Sequence, residues 1–282
     1  MAAIDGRTPV RSSTAWTRLQ WGFADSWTVA RRHLMHIRYM PDKLLEVTIQ
    51  PIMFVLLFAY VFGSAIAVPG GNYKAFLMPG IFAQNMMFAA MPIMAAMVQD
   101  MQRGVIDRFR SLPMSRAAVL IGHIGASFLE SMLGLAVMVV CGLIVGWRPL
   151  LGVASTGEAI LVLMLFSFAM TTVGAFLGLV VKSVEAAQSI GFIVIFPLTF
   201  VANTFVPTAG MPGWLRAAAD WNPVSAVVQA TRQLFGNAAA VPPGHGTWTL
   251  QHPVIASAIF GGLLIAFFLP LAVWRFRRML SK

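Results

Sequence analysis

Six long apolar stretches alternate with short polar ones, and this alternation sets the predicted architecture. The stretches cover residues 47–68, 75–99, 117–146, 159–181, 186–206 and 253–274. Each is long enough to cross about 30 Å of hydrocarbon, because a helix rises about 1.5 Å per residue. A helix also satisfies its own backbone hydrogen bonds, which lipid demands of any spanning segment. The pattern therefore predicts an all-α polytopic membrane protein with six transmembrane helices, forming one domain over residues 1–282.

A different pattern precedes the first span. Between residues 16 and 40, apolar residues recur every three or four positions, and arginines fall mostly between them. This spacing is typical of an amphipathic helix that lies flat in the membrane interface. An ordinary amphipathic helix packed on a soluble domain is the alternative, but no such domain is left in the chain. The residues that define the predicted interfacial helix are Trp16, Phe23, Trp27, Arg31 and Arg32.

A charged segment, residues 100–116, separates the second span from the third. Within it Val105, Phe109 and Leu112 share one helical face, with charged residues around them. Pro113 biases the residue before it away from helical geometry and so ends this short helix. A stiff helix with an aromatic side chain, held by two spans, is suited to a groove on a cytoplasmic partner. The alternative is a solvated loop whose arginines only fix the topology.

Residues 207–252 form a long segment before the last span. Two parts of it are helix-like, residues 213–215 and 224–235, and the Asn-Pro pair at 222–223 between them is a turn and helix-start signal. We expect short outer helices that re-enter the membrane edge here. Surface helices with no role in transport are the alternative.

Composition and charge support the membrane assignment. Only 11% of the residues are charged, whereas roughly a quarter is usual in a soluble domain. The net charge of +10 raises the question of nucleic acid, but sixteen of the twenty Lys and Arg residues fall on one predicted side of the membrane. That asymmetry is the positive-inside signal. It places both termini and the charged segment in the cytoplasm, and no nucleic-acid partner is needed to explain the charge.

Chemistry-bearing residues are scarce. The sequence has no metalloprotease or serine-hydrolase motif and no phosphate-binding loop, so neither a metal nor a nucleotide is expected in this chain. Cys141 reads as a small buried hydrophobe. An acid inside a span is costly and should meet protein or water, while amides in hydrocarbon need partners, although interhelical packing also explains both. The candidate substrate-pathway residues are Gln84, Asn85, Glu130, Phe196 and Asn203.

Six short stretches, taken together, resemble a known family. Residues 104–116, GVIDRFRSLPMSR, resemble the signature loop of type-2 ABC exporter permeases, in particular the daunorubicin/doxorubicin-resistance branch. Further similar stretches follow the order of that branch, and the likeness covers most of the chain from residue 41 onward. They are residues 51–54, 76–81, 196–200, 211–215 and 222–225.

The resemblance implies a membrane permease that dimerises, with itself or a paralogue, and binds two copies of a separate ATPase subunit, which holds the ATP and Mg. It implies an elbow helix at residues 16–40, a cytoplasmic coupling helix between spans two and three, and outer re-entrant helices before span six. The coupling residues would be Gly104, Val105, Asp107, Arg108, Phe109, Arg110, Leu112 and Pro113.

The expected function is export of a hydrophobic or amphipathic compound, such as a drug, antibiotic, lipid or polyketide, across a bacterial cell membrane. Two alternatives stay open. An ion-coupled multidrug carrier normally needs several titratable groups at mid-membrane, and only Glu130 lies well inside a span. A membrane-embedded enzyme or scaffold is the other alternative, and a membrane enzyme needs clustered acids, histidines or a nucleophile at one depth.

Overall fold

A computed structural model describes residues 41–62, 73–103, 116–205, 208–237 and 247–279. Within those ranges every regular element is a helix. A π-helical segment, Leu57–Phe62, continues the first helix, and a short 3₁₀ turn covers Thr208–Gly210. The α-helices are α1 (Pro41–Leu56), α2 (Tyr73–Phe88), α3 (Ala90–Gln102), α4 (Arg116–Val145), α5 (Gly152–Gly178), α6 (Val184–Val201), α7 (Gly213–Asp220), α8 (Pro223–Phe235), α9 (Trp248–Gln251) and α10 (Pro253–Met279).

Five helical stretches are long and apolar enough to cross a membrane. One consists of α2 and α3 together, and the others are α4, α5, α6 and α10. The apolar part of α1 and its π-helical continuation, Thr48–Val61, is shorter than these. Five of the six predicted spans therefore have matching helices, and the predicted first span, residues 47–68, extends beyond the described residues.

Among the five helical stretches that match predicted spans, three ends differ from the prediction by five residues or more. Helix α5 begins at Gly152 rather than residue 159, and the Thr156 hydroxyl donates a hydrogen bond of 2.7 Å to the Gly152 carbonyl. Helix α6 ends at Val201 rather than residue 206, because the backbone becomes extended at Ala202. Helix α10 runs on to Met279, since basic residues in a last turn favour the negative end of the helix dipole.

Helix α5 lies at the centre of the bundle and packs against α2, α3, α4, α8 and α10. Two glycines one turn apart let α3 approach it closely. A Cβ on Gly174 would lie 2.2 Å from the Ala90 carbonyl oxygen, and one on Gly178 would lie 2.7 Å from the Met94 carbonyl oxygen. Small residues at this spacing allow tight helix packing in membranes, where apolar burial alone gives little driving force.

The bundle has two distinct ends, which we call the α8 end and the Gln102 end. At the α8 end Trp147 Nε1 donates to Asn237 Oδ1 at 2.8 Å, which ties the turn after α4 to the end of α8. At the other end Gln102 Nε2 donates to the Lys182 carbonyl at 3.2 Å, so the end of α3 meets the link between α5 and α6. The predicted elbow helix at 16–40 and the coupling residues 104–113 lie outside the described residues.

Candidate functional site

A groove lined by side-chain amides and aromatic rings lies between α1, α2 and α4. We call it the amide groove; the space of about 250 Å³ between and in front of its residues includes its open side. Its position follows from α2, where the adjacent amides Gln84 and Asn85 lie about one helical turn from Ile81 and Phe88. The lining residues are Gln50, Pro51 and Phe54 of α1, Ile81, Gln84, Asn85 and Phe88 of α2, and Met138 of α4.

Gln84 is the most deeply buried amide of the groove, with 4% of its surface exposed. Its Oε1 has no hydrogen-bond partner among the residues that the structure describes. A buried acceptor without a donor costs free energy, about 1–3 kcal/mol. Such a group is therefore poised to accept a hydrogen bond from a molecule that enters the groove.

A continuous series of phenylalanine rings starts at the groove and continues onto α6. We call this series, Phe54, Phe58, Phe205, Phe200, Phe196 and Phe192, the phenylalanine ladder. Its successive ring centroids are 5.9, 4.6, 5.4, 5.1 and 5.8 Å apart. Phe88 of the groove also contacts the ladder, because its ring lies 6.5 Å from that of Phe196 in an edge-to-face arrangement. The groove and the ladder thus form one aromatic surface across α1, α2 and α6.

The α6 part of the ladder faces away from the bundle. Residues spaced four apart along α6 are buried against the other helices, namely Ala187, Gly191, Ile195 and Thr199. On the other side Phe192, Phe196 and Phe200 are each 43–54% exposed. The small residues of α6 face the bundle and the large aromatic ones face outward, which is the reverse of the arrangement in a helix of a soluble protein. The aromatic face therefore needs lipid, cargo or another protein chain to cover it.

The predicted pathway residues do not all meet. Gln84 and Asn85 lie together in the groove, and Phe196 joins them through Phe88. Asn203 lies at the α8 end, where its backbone N–H donates to Ser225 Oγ at 3.1 Å. Glu130 is a half-buried residue in the middle of α4 and does not line the groove. The structure therefore separates the five candidates into one site and two single positions.

A close contact between a histidine and a carboxylate lies at the Gln102 end, next to the predicted coupling segment. His123 Nε2 of α4 lies 3.4 Å from Asp100 Oδ2 of α3, and His123 is only 8% exposed. These residues lie on the two helices that flank residues 104–115 in the chain. The pair therefore joins α3 to α4, the two helices that flank the predicted coupling segment in the chain.

The α8 end holds two buried charges. Burial raises the pKa of the Asp220 carboxyl, against the opposing effects of Arg216, 3.9 Å away, and the Thr208 hydroxyl, which donates to Asp220 Oδ1 at 3.4 Å. Arg232 is 2% exposed, and burial lowers the pKa of its guanidinium to about 9. Asp220 and Arg232 are therefore positions where the fold holds charge at a cost.

Several residues of the site are not evident from the sequence. Gln50, Phe54 and Phe88 lie in runs that are apolar almost throughout, so the sequence does not show which face of each helix meets its neighbour. Arg232 carries a signal that was available, because a cation within the apolar face of a short helix is unusual. In the sequence alone it is one of the four cations that fall outside the sixteen on the predicted cytoplasmic side.

The chemistry of the groove is that of recognition. Its lining consists of amides, rings, aliphatic groups and a thioether, none of which titrates near neutral pH. Amides can exchange hydrogen bonds with a bound molecule, rings can stack on it, and a thioether adapts to its shape. The groove can bind an amphipathic compound, and the residues that line it supply no nucleophile or general base.

Comparison with known proteins identifies the family of this chain. The sequence model of the ABC-2 type transporter family matches residues 25–235. The daunorubicin resistance ABC transporter permease protein DrrB1 of Streptomyces coeruleorubidus is 33% identical over 246 residues, covering 87% of this chain and 83% of that protein. The ycf38 proteins of Porphyra purpurea and Cyanophora paradoxa are each 22% identical, over 74% and 83% of this chain and 73% and 79% of their own length. The chain thus belongs to the ABC-2 type transporter family and is a transporter permease subunit rather than an enzyme.

Proposed function

We propose that the chain is the membrane-spanning subunit of an ATP-driven exporter that moves a hydrophobic or amphipathic compound out of the cytoplasm. The observation that carries this proposal is the amide groove, where the unpartnered Gln84 Oε1 lies beside Phe54 and Phe88. Gln84 lies about 17 Å along its helix from Tyr73 at the standard helical rise. That distance is near half the thickness of the hydrocarbon core, which is the depth expected of a cargo site.

The groove favours a planar aromatic cargo that carries a hydrogen-bond donor. Gln84 Oε1 accepts from the donor, and the rings of Phe54 and Phe88 stack on the planar part. In this conformation the groove encloses room for little more than one water molecule, so it can hold only a small part of a drug-sized compound. The phenylalanine ladder, which continues from it, supplies the remaining contact surface. The name of the Streptomyces relative links that protein to daunorubicin resistance, which supports an antibiotic-like cargo here.

The energy comes from a separate subunit. Membership of the ABC permease family implies an ATP-binding partner and dimerisation in general terms. We assign two copies of that partner to a permease dimer, with ATP and Mg held in the partner. The contact is assigned to the coupling residues 104–113, which connect α3 to α4 at the Gln102 end. The Asp100–His123 pair supports this assignment, because it connects α3 to α4. A movement of the segment between these two helices would therefore shift both of them together.

The exposed face of α6 is proposed to meet a second copy of the permease across the membrane. Three ladder phenylalanines supply a continuous apolar surface there, and a second copy would enlarge the small groove into a full cargo site. Helix α1 with the residues that follow it is the proposed first of six spans, and residues 16–40 form the interfacial elbow. Both termini then lie in the cytoplasm of a bacterial cell, and α7 and α8 form the outer re-entrant segment.

The experiment is copurification with the ATPase subunit, followed by a screen for compounds that stimulate ATP hydrolysis. We expect a planar amphipathic compound such as daunorubicin to stimulate hydrolysis by the complex reconstituted in lipid. Phe109→Ala and Asp107→Arg should abolish the stimulation while membrane insertion is retained. Phe267→Ala is the matched control, because Phe267 of α10 is 64% exposed and lies outside both the groove and the coupling segment. Undiminished stimulation in both coupling variants would contradict the proposed contact.

A further inference from the structure

Helix α8 supplies hydrogen-bonding partners to the backbone at the end of α6. Asn222 Nδ2 donates to the Leu198 carbonyl at 2.7 Å, and Ser225 Oγ accepts from the backbone N–H of Asn203 at 3.1 Å. Arg232 Nη2 donates to the Thr204 carbonyl at 3.0 Å. The last carbonyls of any helix lack partners within the helix. Here α8 provides partners from another part of the chain, so the position of α6 at this end depends on α8.

Arg232 also holds α2. Its Nε donates to the Phe76 carbonyl at 2.9 Å, and its guanidinium carbon lies 3.5 Å from the centroid of the Phe76 ring. One side chain therefore binds the segment after α6 with one nitrogen and α2 with another. A planar guanidinium with several fixed N–H groups is suited to this double contact, whereas a single ammonium is less so.

The two segments that Arg232 joins are in direct backbone contact. A Cβ on Gly80 of α2 would lie 2.4 Å from the Thr204 carbonyl oxygen and 3.2 Å from its carbon. Gly80 therefore leaves room for the carbonyl that Arg232 binds. Thr204 has no exposed surface, which means that α2, α8 and the end of α6 close around it.

Stability alone is a poor explanation of this arginine. Its partners among the described residues are two carbonyls and an aromatic ring, and none of these partners is a carboxylate. A buried cation without a carboxylate loses its hydration, and hydrogen bonds to neutral groups offset this cost only in part. An apolar side chain at such a site commonly gives an equally stable fold. The arrangement is better explained by what it holds together.

We propose that Arg232 is a positioning residue of the transport cycle. It clamps the end of α6 to α2 in the conformation that the structure shows, and this clamp opens when the helices separate to release cargo at the α8 end. The inference rests on the proposed exporter function, because it needs a cycle in which that end opens. It assigns to α8 a role as the element that sets when α6 can move.

The test measures access to Thr204 in the complete transporter. A Thr204→Cys variant is made in a Cys141→Ser background, because Cys141 is the only native cysteine of the chain. The permease and its ATPase are reconstituted in lipid, and labelling by a membrane-impermeant maleimide is followed without nucleotide and with trapped nucleotide. We expect slow labelling without nucleotide and faster labelling with it. Equal rates in the two states would overturn the proposal, because the clamp would not open in the cycle.

When Arg232→Met is added, the cysteine introduced at position 204 should be labelled fast in both states. Its labelling rate without nucleotide should rise about tenfold, as expected from losing a hydrogen bond to a charged group. Arg232→Lys should restore part of the nucleotide dependence, which a change that merely loosened the fold would not do. Arg216→Met is the matched control, since Arg216 of α7 is 45% exposed and contacts Asp220 instead. Labelling of Arg232→Met that equals the parent in both states would overturn the proposal.

Ser225→Ala keeps the proposal testable if Arg232→Met does not fold. It removes one contact between α8 and the end of α6 and should raise labelling without nucleotide by a smaller factor; no change there would count against the clamp. ATP-dependent transport by the unmodified protein is measured separately. If that transport is present while the labelling results fail, only the clamp is wrong, and if transport is absent, the proposed function itself fails.

Discussion

Replacing Gln84 by methionine should stabilise the empty protein and weaken cargo binding. The side chain has 4% of its surface exposed, and its Oε1 has no hydrogen-bond partner among the described residues. Methionine keeps the unbranched shape of glutamine but removes the polar group. Relief of one unpaired buried acceptor contributes about 1–3 kcal/mol to the free energy of unfolding. At about 2–4 °C per kcal/mol, the Tm should rise by several degrees.

Cargo binding should change in the opposite direction. A neutral hydrogen bond contributes about 0.5–1.5 kcal/mol, so Gln84→Met should raise the concentration for half-maximal ATPase stimulation by roughly two- to tenfold. ATP hydrolysis in the absence of cargo should not change, because the proposed contact with the ATPase lies at residues 104–113 and not at the groove. A substitution that raises stability and lowers affinity is expected at a residue whose polar group binds cargo but destabilises the empty fold.

The assay uses the purified complex, with Tm from tryptophan fluorescence and ATP hydrolysis titrated with daunorubicin. Gln188→Met on α6 is the matched control, since Gln188 is exposed and lies outside the groove. It should leave both quantities unchanged. A Gln84→Met protein that matches this control in Tm and in half-maximal concentration would refute the reasoning about the groove.

Three further predictions follow from the packing and the charges. Gly174→Ala should lower the free energy of unfolding by about 1–3 kcal/mol, because its Cβ would meet the α3 backbone. Gly262→Ala, which has open space around it, should not destabilise the protein, and chemical denaturation compares the two variants. His123→Ala should reduce cargo-stimulated ATP hydrolysis several-fold, since it removes the link to Asp100; unchanged stimulation in a correctly assembled complex would exclude that role. Burial raises the pKa of Asp220, so the folded state binds this proton more tightly than the unfolded state, and its contribution to stability falls as pH rises between the two pKa values. Asp220→Asn should flatten that part of the Tm-against-pH curve and raise the Tm at neutral pH; a curve parallel to that of the unmodified protein would contradict this.

The sequence predicted the all-helical class and most of the span positions, because long apolar runs have few alternatives in lipid. Helix ends were less predictable. The predicted fourth span begins at residue 159, just after Glu158, but α5 begins at Gly152, since a helix continues past the apolar region wherever its backbone bonds are satisfied. For the same reason α10 includes its terminal arginines.

The candidate site was only partly predictable. Gln84 and Asn85 were identified because amides are conspicuous in an apolar run. Phe54 and Phe88 were not, because helices apolar on every side carry no periodic signal for the face that meets a neighbour. In the sequence Arg232 is only a cation in a short apolar helix, and its contacts with residues 28 and 156 positions away in the chain require the tertiary fold.

The most direct test of the proposed exporter is uptake of daunorubicin into inside-out vesicles that contain the permease and its ATPase. Uptake is measured with ATP, without ATP, and with ATP after a protonophore has collapsed the proton gradient. We predict that uptake requires ATP, continues after the gradient has collapsed, and is reduced by Gln84→Met at low daunorubicin concentration. Uptake that proceeds without ATP and stops when the gradient collapses would contradict the account and would indicate an ion-coupled carrier.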